Sequence, residues 1–199
     1  MKLATTRALF AYWDGLRGER TAPERAEIEP AAIRHVLADT FVVEVDAARH
    51  CPFRLAGTRL CALFGRELKG VGLSDLWAAD RRHEAASLID TVLDERAGAV
   101  CGLVATTASG ETLELEMILL PLRHGGRTHA RMLGCVSSAL PPARLGLDPV
   151  ARLGLRSMRV IRTDTADRLP VSRPPVLPEG LRRGPFRVFD GGRSGLPTK

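Results

Sequence analysis

The chain has 199 residues, 45% of them hydrophobic, which is enough to bury one core but hardly two. No run approaches the roughly 20 apolar residues that span a bilayer. Arg7 and Asp14 interrupt the apolar stretch that a secretory signal needs, so we expect a cytoplasmic protein. The net charge of +6 is uneven, because residues 151–199 carry eleven Lys/Arg against four Asp/Glu, while residues 1–150 are almost neutral.

The first predicted element is a helix over residues 6–16. Its large apolar side chains recur at the spacing of one helical face. They are Leu9, Tyr12, Trp13 and Leu16. Such a stripe must either cover a sheet of the same chain or meet a partner, and we expect it to mediate homodimerisation.

A helix over 30–37, opened by Pro30, and an antiparallel hairpin of strands over 40–45 and 53–57 come next. Across this hairpin Arg54 is placed to pair with Glu44. A glycine at the end of the second strand allows a sharp turn into the next helix, because glycine reaches backbone angles that other residues avoid.

The rest of the predicted domain is a short helix, a long helix and three strands. Thr58 is placed to cap the short helix and Asp80 the long one, which runs to about Ala97. The strands cover residues 99–107, 112–122 and 131–140, each bounded by glycine turns or by proline. We therefore expect an α+β fold in three parts: an N-terminal helical extension (1–37), a compact domain (38–142) and a basic tail rich in Pro, Gly and Arg, largely disordered (143–199). Residues 153–161 are the one part of that tail with the pattern of a short strand or helix.

Four local motifs resemble those of a known family. Residues 53–70 read FRLAGTRLCALFGRELKG, residues 12–18 read YWDGLRG, Glu116 precedes LLPL at 119–122, and Leu-Gly stands at 133–134. These motifs and the order of elements resemble the PAS-domain superfamily, specifically short stand-alone PAS-like proteins of alphaproteobacteria. The resemblance implies a five-stranded antiparallel sheet with short helices and one long helix. It also implies bacterial signalling through protein–protein contacts, with a signalling protein as partner.

Nothing in the sequence assembles a catalytic site. Nucleophile-elbow, phosphate-loop and zinc-protease motifs are absent, the five histidines are scattered, and the four cysteines are widely spaced. His124 and His129 bracket a glycine turn but lack a carboxylate partner. We expect no catalytic residue, no metal and no enzymatic activity, and we expect the cysteines to behave as buried hydrophobic residues.

PAS relatives hold haem, flavin or small organic ligands between the sheet and the long helix. The reactive-cysteine motif of the flavin photosensors does not occur here, and His83 lies too near the helix start to suit haem, so we expect no bound cofactor. Strand alternation and helix phase still define a candidate pocket, which either holds a small colourless ligand or is filled by its own side chains. Its residues are Phe41, Leu63, Phe64, Trp77, Leu88, Val92, Leu103, Leu115, Met117 and Met132.

The basic tail provides an alternative function. Its arginines would bind nucleic acid or an acidic membrane surface through salt-dependent, non-specific contacts. They are Arg152, Arg156, Arg159, Arg162, Arg182 and Arg183. With only two aromatic residues in the tail, base stacking would be sparse, and a solvated tail is the simpler interpretation.

Overall fold

The computed structural model describes residues 1–125, 127–139 and 145–162, without the side chains of residues 127–129. Its centre is an antiparallel six-stranded sheet with strand order β2-β1-β5-β4-β3-β6. The strands are β1 (Thr40–Glu44), β2 (Phe53–Ala56), β3 (Gly98–Thr107), β4 (Thr112–His124), β5 (Arg127–Ser138) and β6 (Val150–Ile161). The α-helices are α1 (Ala4–Arg17), α2 (Thr58–Leu63) and α3 (Arg82–Asp94). Among the described residues, no helix is long and apolar enough to cross a membrane.

The sheet is covered on both faces, and each covering layer closes a separate apolar cluster. On the inner face, α2, α3 and the turns between them bury a cluster that includes Phe53, Leu88 and Met117. On the outer face, α1 and residues 22–36 bury a second cluster around Leu9 and Trp13. The middle strands therefore have no solvent-facing side along most of their length, which fits the unbroken apolar run at the centre of β4.

One prediction about the segments before and within the β1–β2 hairpin was wrong, and one was confirmed. The segment 30–37 is a run of tight turns, not an α-helix, with hydrogen bonds from Ile33 N to Pro30 O (3.2 Å) and from Val36 N to Ile33 O (2.9 Å). The three-residue spacing brings both Ile33 and Val36 onto the outer cluster, which a tighter 3₁₀-like path achieves. Arg54 and Glu44 do pair, with 2.6 Å between Nε and Oε2.

The sheet has six strands where five were expected. Strand β6 lies within the segment assigned to the basic tail and pairs antiparallel with β3 from Gly98 to Thr107. The register shifts at Arg156, which is an extra residue in β6 opposite the Gly102–Leu103 step of β3. The bulge interrupts the alternation of apolar and polar residues that is typical of a strand. Because four arginines also lie in or next to this segment, its sequence pattern resembles that of a solvated tail.

Gly57 is required for space and not for backbone angle. Its φ is −68°, which any residue adopts, so our explanation from unusual angles was wrong. A Cβ at this position would lie 2.3 Å from the carbonyl oxygen of Ala38 and 2.4 Å from that of Leu37. The start of α2 therefore lies directly against the chain that enters β1.

We expect Gly57→Ala to lower the free energy of unfolding by about 1–3 kcal/mol, because neither backbone carbonyl can move without shifting β1. Gly15→Ala, inside α1 with nothing within 4 Å of the added Cβ, is the matched control. It should stabilise the protein by about 0.5–1 kcal/mol, as alanine is the better helix former. Urea unfolding of both variants tests this, and equal midpoints would contradict the packing explanation.

Candidate functional site

The inner cluster brings together all ten residues of the candidate pocket. Each of them is at most 8% exposed, and all belong to the one cluster between the sheet and α3. They come from β1, α2, the turn before α3, α3 itself and strands β3 to β5. The ten side chains therefore lie together in the core, and their role as a ligand pocket stays a prediction.

One polar group in this cluster has no hydrogen-bond partner among the described residues. The indole N–H of Trp77 is buried, and no acceptor for it exists among the described residues. The side chain is only 3% exposed, so bulk water does not reach it freely. An unpaired buried donor costs about 1–3 kcal/mol, so this N–H marks a place where an acceptor from a ligand or an ordered water would be stabilising.

The titratable groups near the core fit poorly with metal, haem or thiol chemistry. His83 is exposed on α3, and within the described chain no three His, Cys, Asp or Glu residues come close enough to hold a metal. Burial raises the pKa of Cys51 and of Cys101 to about 12, and burial also raises the pKa of Cys135. These three thiols therefore stay protonated at neutral pH, as expected for buried structural cysteines.

On the outer face, the start of α1 is fixed by a carboxylate from β4. Glu116 is 8% exposed and accepts hydrogen bonds from the backbone N of Lys2 (2.7 Å), the backbone N of Leu3 (3.0 Å) and the hydroxyl of Thr6. No side chain of α1 itself caps the helix. Burial alone would raise the pKa of the Glu116 carboxyl, but these hydrogen bonds outweigh burial and hold the pKa below its usual value.

The middle of α1 is fixed to the same strand. The Trp13 indole N–H donates to the Pro121 carbonyl oxygen at 2.8 Å, and the Arg17 guanidinium lies 5.5 Å from the centre of the Trp13 ring. Leu9 and Trp13 have no exposed surface, so these two residues of the stripe cover the sheet of their own chain. Tyr12 and Leu16 are only partly buried and remain accessible to a partner.

These features can now be set beside known proteins. A family model described as "PAS domain" matches residues 1–137, which includes α1 and both faces of the sheet up to β5. The chain belongs to the PAS-domain family. PAS domains are a class of sensory and signalling domains, and the inner cluster with Trp77 lies where the resemblance implied a ligand cavity.

Three solved light-oxygen-voltage (LOV) structures are similar to part of this PAS chain. The light-state LOV domain of the blue-light photoreceptor Aureochrome1 is 15% identical, covers 55% of this chain and 87% of its own, and has a TM-score of 0.43. An RNA-binding LOV receptor is 19% identical over 58% of this chain and 35% of its own (TM-score 0.44). The Rhodobacter sphaeroides LOV protein is 17% identical over 53% and 61% (TM-score 0.42). A search of curated protein sequences found no match.

A groove of about 650 Å³ lies on the outer face of the PAS sheet, between the start of α1 and β6. Glu114 and Glu116 lie in it, and Lys2, Arg156 and Arg159 also line it. Strand β6 contains Arg152, Arg156 and Arg159, and Arg162 follows it directly. Four of the six arginines assigned to the basic tail thus lie on or next to the sheet. The other two, Arg182 and Arg183, lie outside the described residues.

We expect Glu116→Gln to destabilise the domain by about 1–3 kcal/mol at pH 7, because the amide replaces a charged acceptor of three hydrogen bonds. Since the pKa of Glu116 is lowered by folding, its contribution is present above the unfolded-state pKa and is lost as the pH falls through the folded-state value. The difference between parent and variant should shrink below about pH 4. Thermal unfolding across this pH range measures it.

Glu114→Gln is the matched control for this substitution. Glu114 lies on the same strand and face, two residues earlier, but its side chain is 75% exposed and pairs only with Arg156. Its loss should change stability by less than about 0.5 kcal/mol. Equal effects of the two substitutions would show that Glu116 does not anchor α1.

Proposed function

We propose that this PAS domain is a non-enzymatic cytoplasmic signalling module that senses a small colourless molecule in its inner cluster and passes the signal on by protein–protein contact. The observation that carries the proposal is the unpartnered indole N–H of Trp77, buried among apolar side chains. Ligand sites are mostly apolar with a few placed polar groups, and a single donor in an apolar wall fits that description. A suitable ligand is a small apolar molecule with one hydrogen-bond acceptor.

The position of Trp77 supports a route from the ligand to the surface. Trp77 follows the 3₁₀ turn Leu73–Leu76 and precedes α3, and the Trp77 backbone N–H is bonded to Ser74 O at 3.2 Å. Four residues after Trp77, Arg81 pairs with Glu84 of α3. The Glu84 carboxylate also accepts a hydrogen bond from the Leu155 N–H of β6 at 2.6 Å. A ligand that shifts the Trp77 ring would thus act on the junction between α3 and the edge of the sheet.

The ligand proposal is tested by thermal unfolding of the full chain in a library of small apolar fragments that each carry one acceptor. We expect at least one fragment to raise the melting temperature of the parent and of Trp13→Phe, which leaves Trp77 in place. The same fragment should lose most of its effect on Trp77→Phe, because the donor is gone while most of the ring remains.

Two results would contradict a ligand role for the inner cluster. One is that no fragment stabilises the parent. The other is that the active fragments stabilise Trp77→Phe as much as the parent, since such fragments bind elsewhere. Circular dichroism of both variants verifies that each remains folded.

Homodimerisation through α1 is a further part of the proposal, but packing against the sheet limits which side of the helix can contact a second copy. Because Leu9 and Trp13 lie against the chain's own sheet, a dimer that keeps α1 docked has to use its partly exposed side, where Tyr12 and Leu16 lie. A test of the dimer has to leave Trp13 unchanged, because a charge at this buried position, as in Trp13→Glu, would undock the helix from its own sheet.

We expect Leu16→Glu to convert a dimer to a monomer, because it places a charge in an apolar contact without touching Glu116 or Trp13. Light scattering of parent and variant over a range of concentrations measures the mass. Arg7→Glu, an exposed change near the other end of α1, is the control. A monomeric parent, or an unchanged dimer in Leu16→Glu, would overturn this part of the proposal.

A further inference from the structure

We infer that the outer edge of β6 is a docking site for an acidic, extended peptide segment of a partner protein, which adds to the sheet as a further strand. This inference rests on the proposed function of signalling by protein contact and names the surface and the chemistry of the partner.

The two edges of the sheet differ. On the β2 side, Phe53 N–H donates to Val71 O and Gly70 N–H donates to Phe53 O, both at 2.8 Å, so a segment of the chain already covers that edge. On the β6 side, no described strand lies beyond the twelve residues of β6. The Leu155 N–H is bonded there to the Glu84 side chain, and the strand continues on both sides of that contact. A strand edge with no further described strand beyond it is a template for another strand.

The bulge at Arg156 brings the arginines of β6 to one face. Arg152 and Arg159 are seven residues apart, an odd number that would put them on opposite faces of a regular strand. In the observed register, Arg152 lies opposite Thr106 and Arg159 opposite Val100, positions an even number apart on β3. Both arginines therefore lie on the outer face of the sheet, and both are exposed.

The charge of this edge selects an acidic occupant. From residue 150 to residue 162 the sequence contains four arginines and no acidic residue. Arg156 pairs with Glu114 and Arg162 with Glu95, while neither Arg152 nor Arg159 has a carboxylate partner in the described part of the chain. A second copy of β6 would bring two sets of arginines together, which disfavours self-pairing. In an added strand, acidic side chains at alternate positions would lie on the same face of the sheet as Arg152 and Arg159.

A nucleic acid suits the same surface less well. No aromatic side chain lines the described groove, so bases would have no stacking surface. A peptide strand needs no stacking surface, because it bonds through its backbone to the strand edge.

The test uses the full chain and fluorescein-labelled peptides of about eight residues with alternating glutamate and valine. Fluorescence anisotropy should show binding that saturates below about 1 mM and weakens with added salt. A peptide of alternating lysine and valine should not bind. The glutamate peptide with N-methyl groups on alternate amides, which cannot complete the ladder, should bind at least tenfold more weakly.

Arg159→Glu should weaken binding of the glutamate peptide tenfold or more, because it reverses the charge that faces the peptide. Arg66→Glu makes the same change of charge on an exposed arginine after α2 and should alter binding less than twofold. Melting temperatures equal to that of the parent exclude unfolding as the cause.

The inference would be overturned if the glutamate peptide did not bind, or if the lysine peptide or the N-methylated peptide bound equally well. It would also be overturned if Arg159→Glu and Arg66→Glu had equal effects. A third contradicting result is Arg159-dependent binding of a single-stranded oligonucleotide instead of the peptide. None of these results bears on Trp77, so this docking site and the ligand proposal can fail separately.

Discussion

The structure depends on one constraint: the central strands of the sheet are apolar on both faces, so the outer face needs a cover as much as the inner face does. Helix α1 is that cover. It is fixed at two points of β4, by the Glu116 carboxylate at its start and by the Pro121 carbonyl that accepts from Trp13. A helix of fourteen residues is marginal in water by itself, and burial of Leu9 and Trp13 supplies the tertiary stabilisation that isolated helices lack. Helix α1 lies within the segment, residues 1–137, that the family model matches.

The family motifs are distant in sequence and meet in space. Trp13 of the YWDGLRG motif bonds to Pro121 of LLPL, and Glu116, five residues earlier, holds the start of the same helix. Gly134 leaves room for the Phe41 ring, because a Cβ there would lie 2.3 Å from Phe41 Cζ. The motifs are thus the contact points at which α1, β1, β4 and β5 are joined, and their physical role is packing.

Much of this was accessible from sequence, and the exceptions have physical causes. Strand alternation and helical spacing selected ten candidate residues, and the structure places all ten in the inner cluster, whereas their role as a ligand pocket stays a prediction. The sequence could not decide whether Leu9 and Trp13 cover a sheet of their own chain or meet a partner, because the apolar stripe has the same pattern in both cases. Residues 153–161 were predicted only as a short strand or helix and not as a sixth strand of the sheet, because the bulge at Arg156 breaks the alternation of β6. The unpartnered donor of Trp77 depends on what surrounds the ring in three dimensions, which no local pattern encodes.

With α1 fixed, the places that we propose for exchange of information are the inner cluster around Trp77, the partly exposed side of α1 at Tyr12 and Leu16, and the edge of β6, beyond which no described strand lies. All three proposals assume that α1 remains docked, because the outer face would otherwise be open to any apolar partner. Amide hydrogen exchange of the full chain at neutral pH tests this most directly. If α1 is docked on the sheet, the amides of its last three turns exchange about as slowly as those of β4. Exchange of α1 at the rate of an unstructured peptide, while β4 stays protected, would contradict it.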